Sequence, residues 1–191
     1  MSLFQANAPL STLYPTGLRG LHGQWCERRR RQVILAALPR QRFTRVFEPA
    51  CGQGQLSLDL ARRCDSLLCS DASAAQASAR HVHVAHAQQP ADWPSQRFDL
   101  VLLCDLASHL SPAQLALLLQ HLRGSLEPNR GVLLACHWRG HPQQRLDGDR
   151  VHAMLAEELR LPHWMHVEEE DFLLDIWSHD EHPLCPEDTV Q

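Results

Sequence analysis

Three sets of residues have types and spacing that could do chemistry. The first is Glu48-Pro49-Ala50-Cys51-Gly52-Gln53-Gly54. Small residues at 50, 52 and 54 let the backbone pass close to a ligand. A helix starting just after them would offer unpaired N–H groups to an anionic carboxylate. Glu48, ahead of the small residues, could meet a cationic ligand. The second is Asp71, 17 positions beyond Gly54, where a carboxylate can accept hydrogen bonds from both hydroxyls of a ribose. The third is a group of proton carriers, Asp105, His109, His137, Asp149 and His152. Histidine titrates near neutrality, so it can take a proton from an acceptor such as an amine, which must be neutral before it attacks anything.

These residues need a scaffold that brings them to one edge, and the hydrophobic pattern supplies it. Residues 24–38 read as a helix stopped by Pro39. Strand and helix then alternate: Arg45–Glu48, helix Gly54–Arg63, strand Ser66–Ser70, helix Ala72–Arg80, strand Val82–His86. Phe98–Cys104 is a continuous apolar run of the kind a parallel strand covered on both faces requires. Ser111-Pro112-Ala113-Gln114 opens a helix with a capping box and Pro in its first turn, and leucines follow at helical spacing. Gly131–Trp138 is a fifth strand, Asp149–Leu159 a helix, and His163–Val167 with Phe172–Trp177 a final hairpin. Such alternation predicts a doubly wound, mostly parallel α/β sheet with right-handed crossovers. Ligands of such sheets bind outside the carboxyl ends of the strands, where all three sets fall.

A chain of 191 residues suits one domain. Residues 1–20 read as an irregular arm, 21–178 as the domain and 179–191 as a loose acidic tail. The net charge of −4 argues against a general nucleic-acid binder. All of its Lys-or-Arg positions are Arg, which reads as genome composition. The seven cysteines form no CxxC pair, so neither a disulfide framework nor a zinc knuckle is expected, and a reducing cytoplasm fits. No apolar stretch is long enough for a membrane span. His81, His83 and His86 lack accompanying carboxylate or Cys spacing, so no metal is expected there. Arg28–Arg31 would point in four directions on a helix, with one turned inward.

The acid just ahead of the glycines, and Ser57 in place of a third glycine, disfavour a dinucleotide fold. Together with Asp71 they make the chain resemble the class I S-adenosylmethionine-dependent methyltransferases. Within these it is similar to the NodS-like nodulation N-methyltransferase family. That likeness rests on Trp25-Cys26-Glu27-Arg28-Arg29-Arg30, Phe47-Glu48-Pro49 with Cys51, Ala61–Asp65, and Ala91-Asp92-Trp93-Pro94 before Arg97-Phe98-Asp99-Leu100. Its narrowest part is His137-Trp138-Arg139 followed by Leu146–His152.

The resemblance implies a seven-stranded Rossmann-like sheet whose last strand is reversed, with S-adenosyl-L-methionine as cofactor. Glu48, Ala50, Gly52 and Gly54 would line its methionine and ribose, with Asp105 nearby. Asp71 would hold the ribose, and Ala72, Ala87 and Gln88 would surround the adenine. Arg29 would pair with the methionine carboxylate. Gln88 stands where a carboxylate is usual, and its side-chain oxygen can accept the same bond. Ala50 replaces a glycine, which ordinary dihedrals would permit.

Ser108 and His109 stand where paired tyrosines are expected, so the acceptor is left open. The reading reached is N-methylation of a small-molecule amine, with His137, Asp105 and His109 as candidate catalytic groups. The alternatives are a binding protein that keeps the fold without turnover, and an RNA methyltransferase. No nucleic-acid or membrane partner is expected, and the oligomeric state is open.

Overall fold

The computed structural model describes residues 21–72, 81–140 and 143–180. The expected arm 1–20, most of the helix 72–80 and most of the acidic tail lie outside the described residues. Helices and strands are numbered in chain order among the described residues. Helix α1 spans Leu21–Ala37, followed by β1 Phe43–Pro49, α2 Gln55–Leu60, a short 3₁₀ turn at Ala61–Arg63, β2 Cys64–Asp71 and β3 Val82–His86. Next come β4 Leu100–Cys104, α3 Leu106–His109, α4 Pro112–Ser125, β5 Val132–Trp138, α5 Gly148–Leu159, β6 His163–Glu168 and β7 Phe172–Ser178.

One seven-stranded sheet runs in the order β3-β2-β1-β4-β5-β7-β6. β1 through β5 pair in parallel, and β7 enters antiparallel between β5 and β6. The chain reverses direction across the sheet at β1, between β2 and β4, which is where ligands bind such sheets.

Strand alternation feeds two apolar layers. Val46, Leu67, Leu100, Leu102, Val132 and Leu134 face one layer, which Ile34 and Leu38 from the α1 end and Leu60 of α2 complete. Phe47, Val101, Leu103, Leu133 and Ala135 face the other, against Leu115, Leu118 and Leu122 of α4 and Val151 and Leu155 of α5. By the same alternation His137 continues the second face, under α5.

Cys64, Cys69 and Cys136 are buried in the first layer as free thiols, consistent with their behaviour as small hydrophobes. The α4 start carries the expected capping box: Gln114 N–H donates to Ser111 Oγ and Ser111 N–H donates to Gln114 Oε1, an arrangement that contributes about 1 kcal/mol.

The fourth strand begins later than its apolar run. Phe98 N–H donates to the Ser125 carbonyl at 2.7 Å, and Phe98 forms an isolated bridge with Leu126. Buried Asp99 accepts from the backbone N–H groups of Thr44 and Arg45 at 2.8 and 2.7 Å, pinning the start of β1. α3 has no sequence expectation behind it, since four residues carry no periodicity. No helix among the described residues is long and apolar enough to cross a membrane.

Candidate active site

The turn after β1 places three residues of five in the left-handed region: Ala50 at φ 58°, Gly52 at 57° and Gly54 at 72°. Ala50 therefore does not keep the ordinary dihedrals expected of it. A left-handed alanine costs roughly 1 kcal/mol against glycine, and the loop supports it with bonds on both sides. Cys51 N–H donates to the Ser70 carbonyl at 3.0 Å, Gly54 N–H to the Cys51 carbonyl at 3.0 Å, and Gly52 N–H to Asp71 Oδ2 at 3.0 Å. A Cβ built on Gly52 meets nothing among the described residues within 4 Å. Among the described residues the space above that backbone is open to a ligand, and glycine is kept there by its φ.

Two buried carboxyls flank this opening. Asp71 ends β2, is 2% exposed, and fixes the loop through Gly52. Glu48 is 3% exposed and accepts from Ser57 Oγ at 2.5 Å. Burial pushes the Glu48 carboxyl up from 4.5 to about 7, against the smaller opposing effect of the Ser57 hydroxyl. A cation seated beside it would draw it back to the charged form.

Because Glu48 is neutral in the folded state where an unfolded chain would already have lost its proton, its contribution to stability falls as pH rises from 4.5 to about 7. The total is about 3 kcal/mol. Two results follow. Buried, uncharged His137 contributes the opposite slope below 6.5, so the Glu48 effect is read as a difference: in urea titrations the stability of wild type relative to Glu48→Gln falls by about 3 kcal/mol between pH 4.5 and 7. Binding of a cationic ligand below pH 7 releases a proton in wild type and none in Glu48→Gln, read from calorimetry in buffers of different ionisation enthalpy.

On the adenine side, Ala87 is buried and its N–H donates to the Asp71 carbonyl at 3.3 Å. Gln88 is exposed; its N–H donates to Asp92 Oδ2 at 2.8 Å. Ala72 follows Asp71 in a half-buried turn. Trp93 anchors this loop, edge-on to Phe47 at 4.9 Å and donating from Nε1 to Ser125 Oγ at 2.5 Å. These residues converge with Glu48, Ala50, Gly52, Gly54 and Asp71 on the carboxyl end of the sheet.

α1 crosses above the same edge and brings Arg29 and Arg30 to it. Arg29, expected to pair with the methionine carboxylate, has its guanidinium on Glu169 in the β6–β7 turn at 2.6 Å and is 39% exposed. The inward arginine is Arg30, 8% exposed, stacked 4.3 Å over the Trp138 ring and paired with Asp105 at 2.8 Å. Burial disfavours the Arg30 charge, but Asp105 raises its pKa well above the ordinary value. The signal was present in the sequence, because Arg30, Ile34 and Ala37 form one stripe at helical spacing.

The expectation that needs correction is Asp105 as a catalytic group. It sits at φ 59°, and its carboxylate is held by Arg30 and the Trp138 N–H. It is a clamp between α1, β4 and β5, which leaves it unsuited to act as a base. Burial pushes the neighbouring Cys136 thiol up to about 12 and raises Cys104 as well, so neither supplies a thiolate nucleophile.

His137 lies at the end of β5, fully buried. Its Nδ1 is 3.0 Å from Nε2 of His152, and His152 Nδ1 is 2.5 Å from Asp175 Oδ2. A Cβ on Gly148 would meet the Trp138 carbonyl at 2.8 Å and His137 Cβ at 3.3 Å. That glycine lets α5 start directly on β5 and sets His152, one turn on, over His137. Burial, then His152, Arg30 and His109, hold the His137 pKa well below 6.5. His109 ends α3, partly buried on the same side.

Asp175 was missed in the sequence. An acid inside the apolar strand FLLDIWS is the signal that could have found it, since a buried charge needs partners. Its Oδ1 accepts from His163 at 2.5 Å and His166 at 2.8 Å. Those are hydrogen-bond separations; two ligands of one zinc, each at about 2.1 Å, would stand farther apart. His81, by contrast, contacts the Ala61 carbonyl through Nε2 at 2.5 Å.

Comparison with known proteins gives this geometry a family. Residues 47–134 match a methyltransferase domain. A Pseudomonas syringae protein assigned as a methyltransferase is 40% identical, with a TM-score of 0.68 over 81% of this chain and 99% of that one. The fold is also that of N-methyltransferase NodS from Bradyrhizobium japonicum WM9, solved with S-adenosyl-l-homocysteine. That likeness has 19% identity and a TM-score of 0.69 over 80% of this chain and 86% of the other. A Burkholderia thailandensis 1,6-didemethyltoxoflavin-N1-methyltransferase shares the fold at 14% identity and a TM-score of 0.60, over 81% of this chain and 78% of that one. No protein of curated function matches the chain. The chain belongs to the class I methyltransferases, whose methyl donor is S-adenosylmethionine.

Proposed function

We propose that this chain transfers a methyl group from S-adenosylmethionine to an amine nitrogen of a small molecule in the cytoplasm. The observation that carries the reading is the loop at 50–54, open above Gly52, with two buried carboxyls beside it. The residues present fit the cofactor. Asp71 would take the ribose hydroxyls, and Glu48 the positive charge of the methionine moiety. Ala50, Gly52 and Gly54 would form the floor, with Ala72, Ala87 and Gln88 around the adenine. Arg29 would have to give up Glu169 to pair with the methionine carboxylate.

When bound, the cofactor supplies a methyl group on an already activated sulfonium, so the protein mainly aligns the acceptor and excludes water. His137 is buried and uncharged, and its Nε2 has no hydrogen-bond partner among the described residues. It is the group we assign to take the acceptor's proton, with His109 beside the acceptor. Two proteins that share the fold, NodS and the didemethyltoxoflavin enzyme, are N-methyltransferases, which favours nitrogen.

The test is calorimetry with S-adenosylhomocysteine, followed by transfer of labelled methyl to ethanolamine, benzylamine and glucosamine. Binding together with labelled product from at least one amine is expected. No measurable binding would end the methyltransferase reading for this chain. Binding without transfer to any amine would favour a protein that keeps the fold and not the turnover.

A further inference from the structure

Resting on that reading, we infer that His152 and Asp175 are positioning residues that make His137 Nε2 a proton acceptor and carry the positive charge away from it. The hydrogen-bond chain leaves little choice of tautomer. The three histidine contacts with the Asp175 carboxylate outweigh its burial and hold its carboxyl down to about 2, so it accepts. His152 therefore donates from Nδ1. A neutral His152 then has a lone pair on Nε2, which His137 must meet with Nδ1–H. His137, uncharged, is left with a bare lone pair on Nε2. That atom is buried and has no partner among the described residues.

The chain also solves the problem that a base in a dry site faces, since a buried imidazolium is costly. When His137 Nε2 accepts the acceptor's proton, its Nδ1 proton passes to His152 Nε2. His137 ends neutral in its other tautomer. His152 ends as an imidazolium 2.5 Å from the Asp175 carboxylate. One N–H bond is broken at the acceptor and one formed at His137. A second pair is exchanged between the rings, and the amine lone pair is freed to form its bond to carbon.

The positive charge comes to rest beside a cavity of about 280 Å³ lined by His152, His163, His166, Glu168 and Asp175. His163 and His166 are half-exposed and share Asp175 Oδ1, so they offer the way out to solvent. Residues three apart on a regular strand face opposite sides. The register shift between His163 and Met165 is what turns both rings to Asp175. The groups that set the proton's energy are Arg30 of α1 and His109 of α3 on one side of His137. On the other are His152 and Asp149 of α5, His163 and His166 of β6, and Asp175 of β7.

The test is a pH titration of the ligand-free protein labelled with ¹⁵N-histidine, followed by long-range ¹H–¹⁵N NMR. At high pH His137 should carry its proton on Nδ1. On acidification the first proton taken up by the pair should appear as doubly protonated His152, while His137 switches to the Nε2–H tautomer. In Asp175→Asn this step should move at least about one pH unit lower, because the carboxylate that favours the charged ring is gone. For any amine the wild type methylates, Asp175→Asn should lower kcat by about 10²–10⁴-fold, with KM and S-adenosylhomocysteine affinity within about 3-fold.

The proposal is overturned if His137 keeps one tautomer throughout, if His137 itself becomes the imidazolium, or if Asp175→Asn titrates as wild type does. Should that variant not fold, the wild-type titration alone decides. A wild type that passes the ring test but methylates no amine overturns the acceptor class of the preceding subsection and leaves the relay standing on the spectra.

Discussion

Asp105→Ala is expected to lower the unfolding free energy by about 3–5 kcal/mol, the cost of leaving one member of a buried ion pair without its partner. Arg30 is 8% exposed and sits against the Trp138 ring. Among the described residues its remaining ionic contact would be Glu27 at 3.4 Å, one helical turn back on its own helix and half-exposed. The Trp138 N–H would lose its acceptor, and an alanine would have to adopt φ 59°, where Asp is better tolerated.

Asp105→Asn separates these effects. It keeps the backbone conformation and an acceptor for Trp138 and removes the charge alone, so it should cost less than alanine. Arg30→Met combined with Asp105→Asn should recover much of the loss, because an uncharged pair has no desolvation to offset. Urea unfolding measures all four proteins. If both single Asp105 variants lose less than about 1 kcal/mol, the pair is not what holds α1 over the sheet edge.

The same cluster shows what could and could not be seen in the chain beforehand. The strand–helix alternation was legible because it is set by apolar periodicity, which tertiary contacts reinforce. Val82–His86 came out with its observed bounds, and the Ser111–Gln114 cap formed as written. The cofactor loop was legible because the acid, the small residues and Asp71 are constrained by one ligand and by one turn.

Dihedrals were not legible. Ala50 reads as a residue without special conformation, yet the loop needs the left-handed region at 50 as well as at 52 and 54. Arg29 and Arg30 differ by 100° on a helix, and which one turns inward depends on the partner opposite. Asp105 supplies that partner from 75 residues away. The His137–His152–Asp175 chain joins a strand, a helix and a second strand, and no local pattern links them. Asp175 was hidden inside an apolar strand, because only the pairing of β7 with β6 brings two histidines to it.

Asp71→Ala should weaken S-adenosylhomocysteine about 100-fold, since two hydrogen bonds from ribose hydroxyls to a carboxylate are worth about 3 kcal/mol together. Part of that loss could come through the loop, because Gly52 N–H donates to the same carboxylate at 3.0 Å. The two contributions separate with a ligand change. Wild type should bind adenosine more tightly than 2′-deoxyadenosine, and Asp71→Ala should bind the two alike. A double-mutant cycle between residue and hydroxyl isolates the direct contact from the loop. Asp71→Asn still offers an oxygen to Gly52 N–H and loses the charge, so it should fall between the two. Asp65→Ala, on the exposed start of the same strand and paired with Arg42, should change nothing. A Kd within about 3-fold of wild type for Asp71→Ala, or unchanged discrimination between the two nucleosides, would take the ribose away from Asp71. The end of β2 would then serve the loop alone.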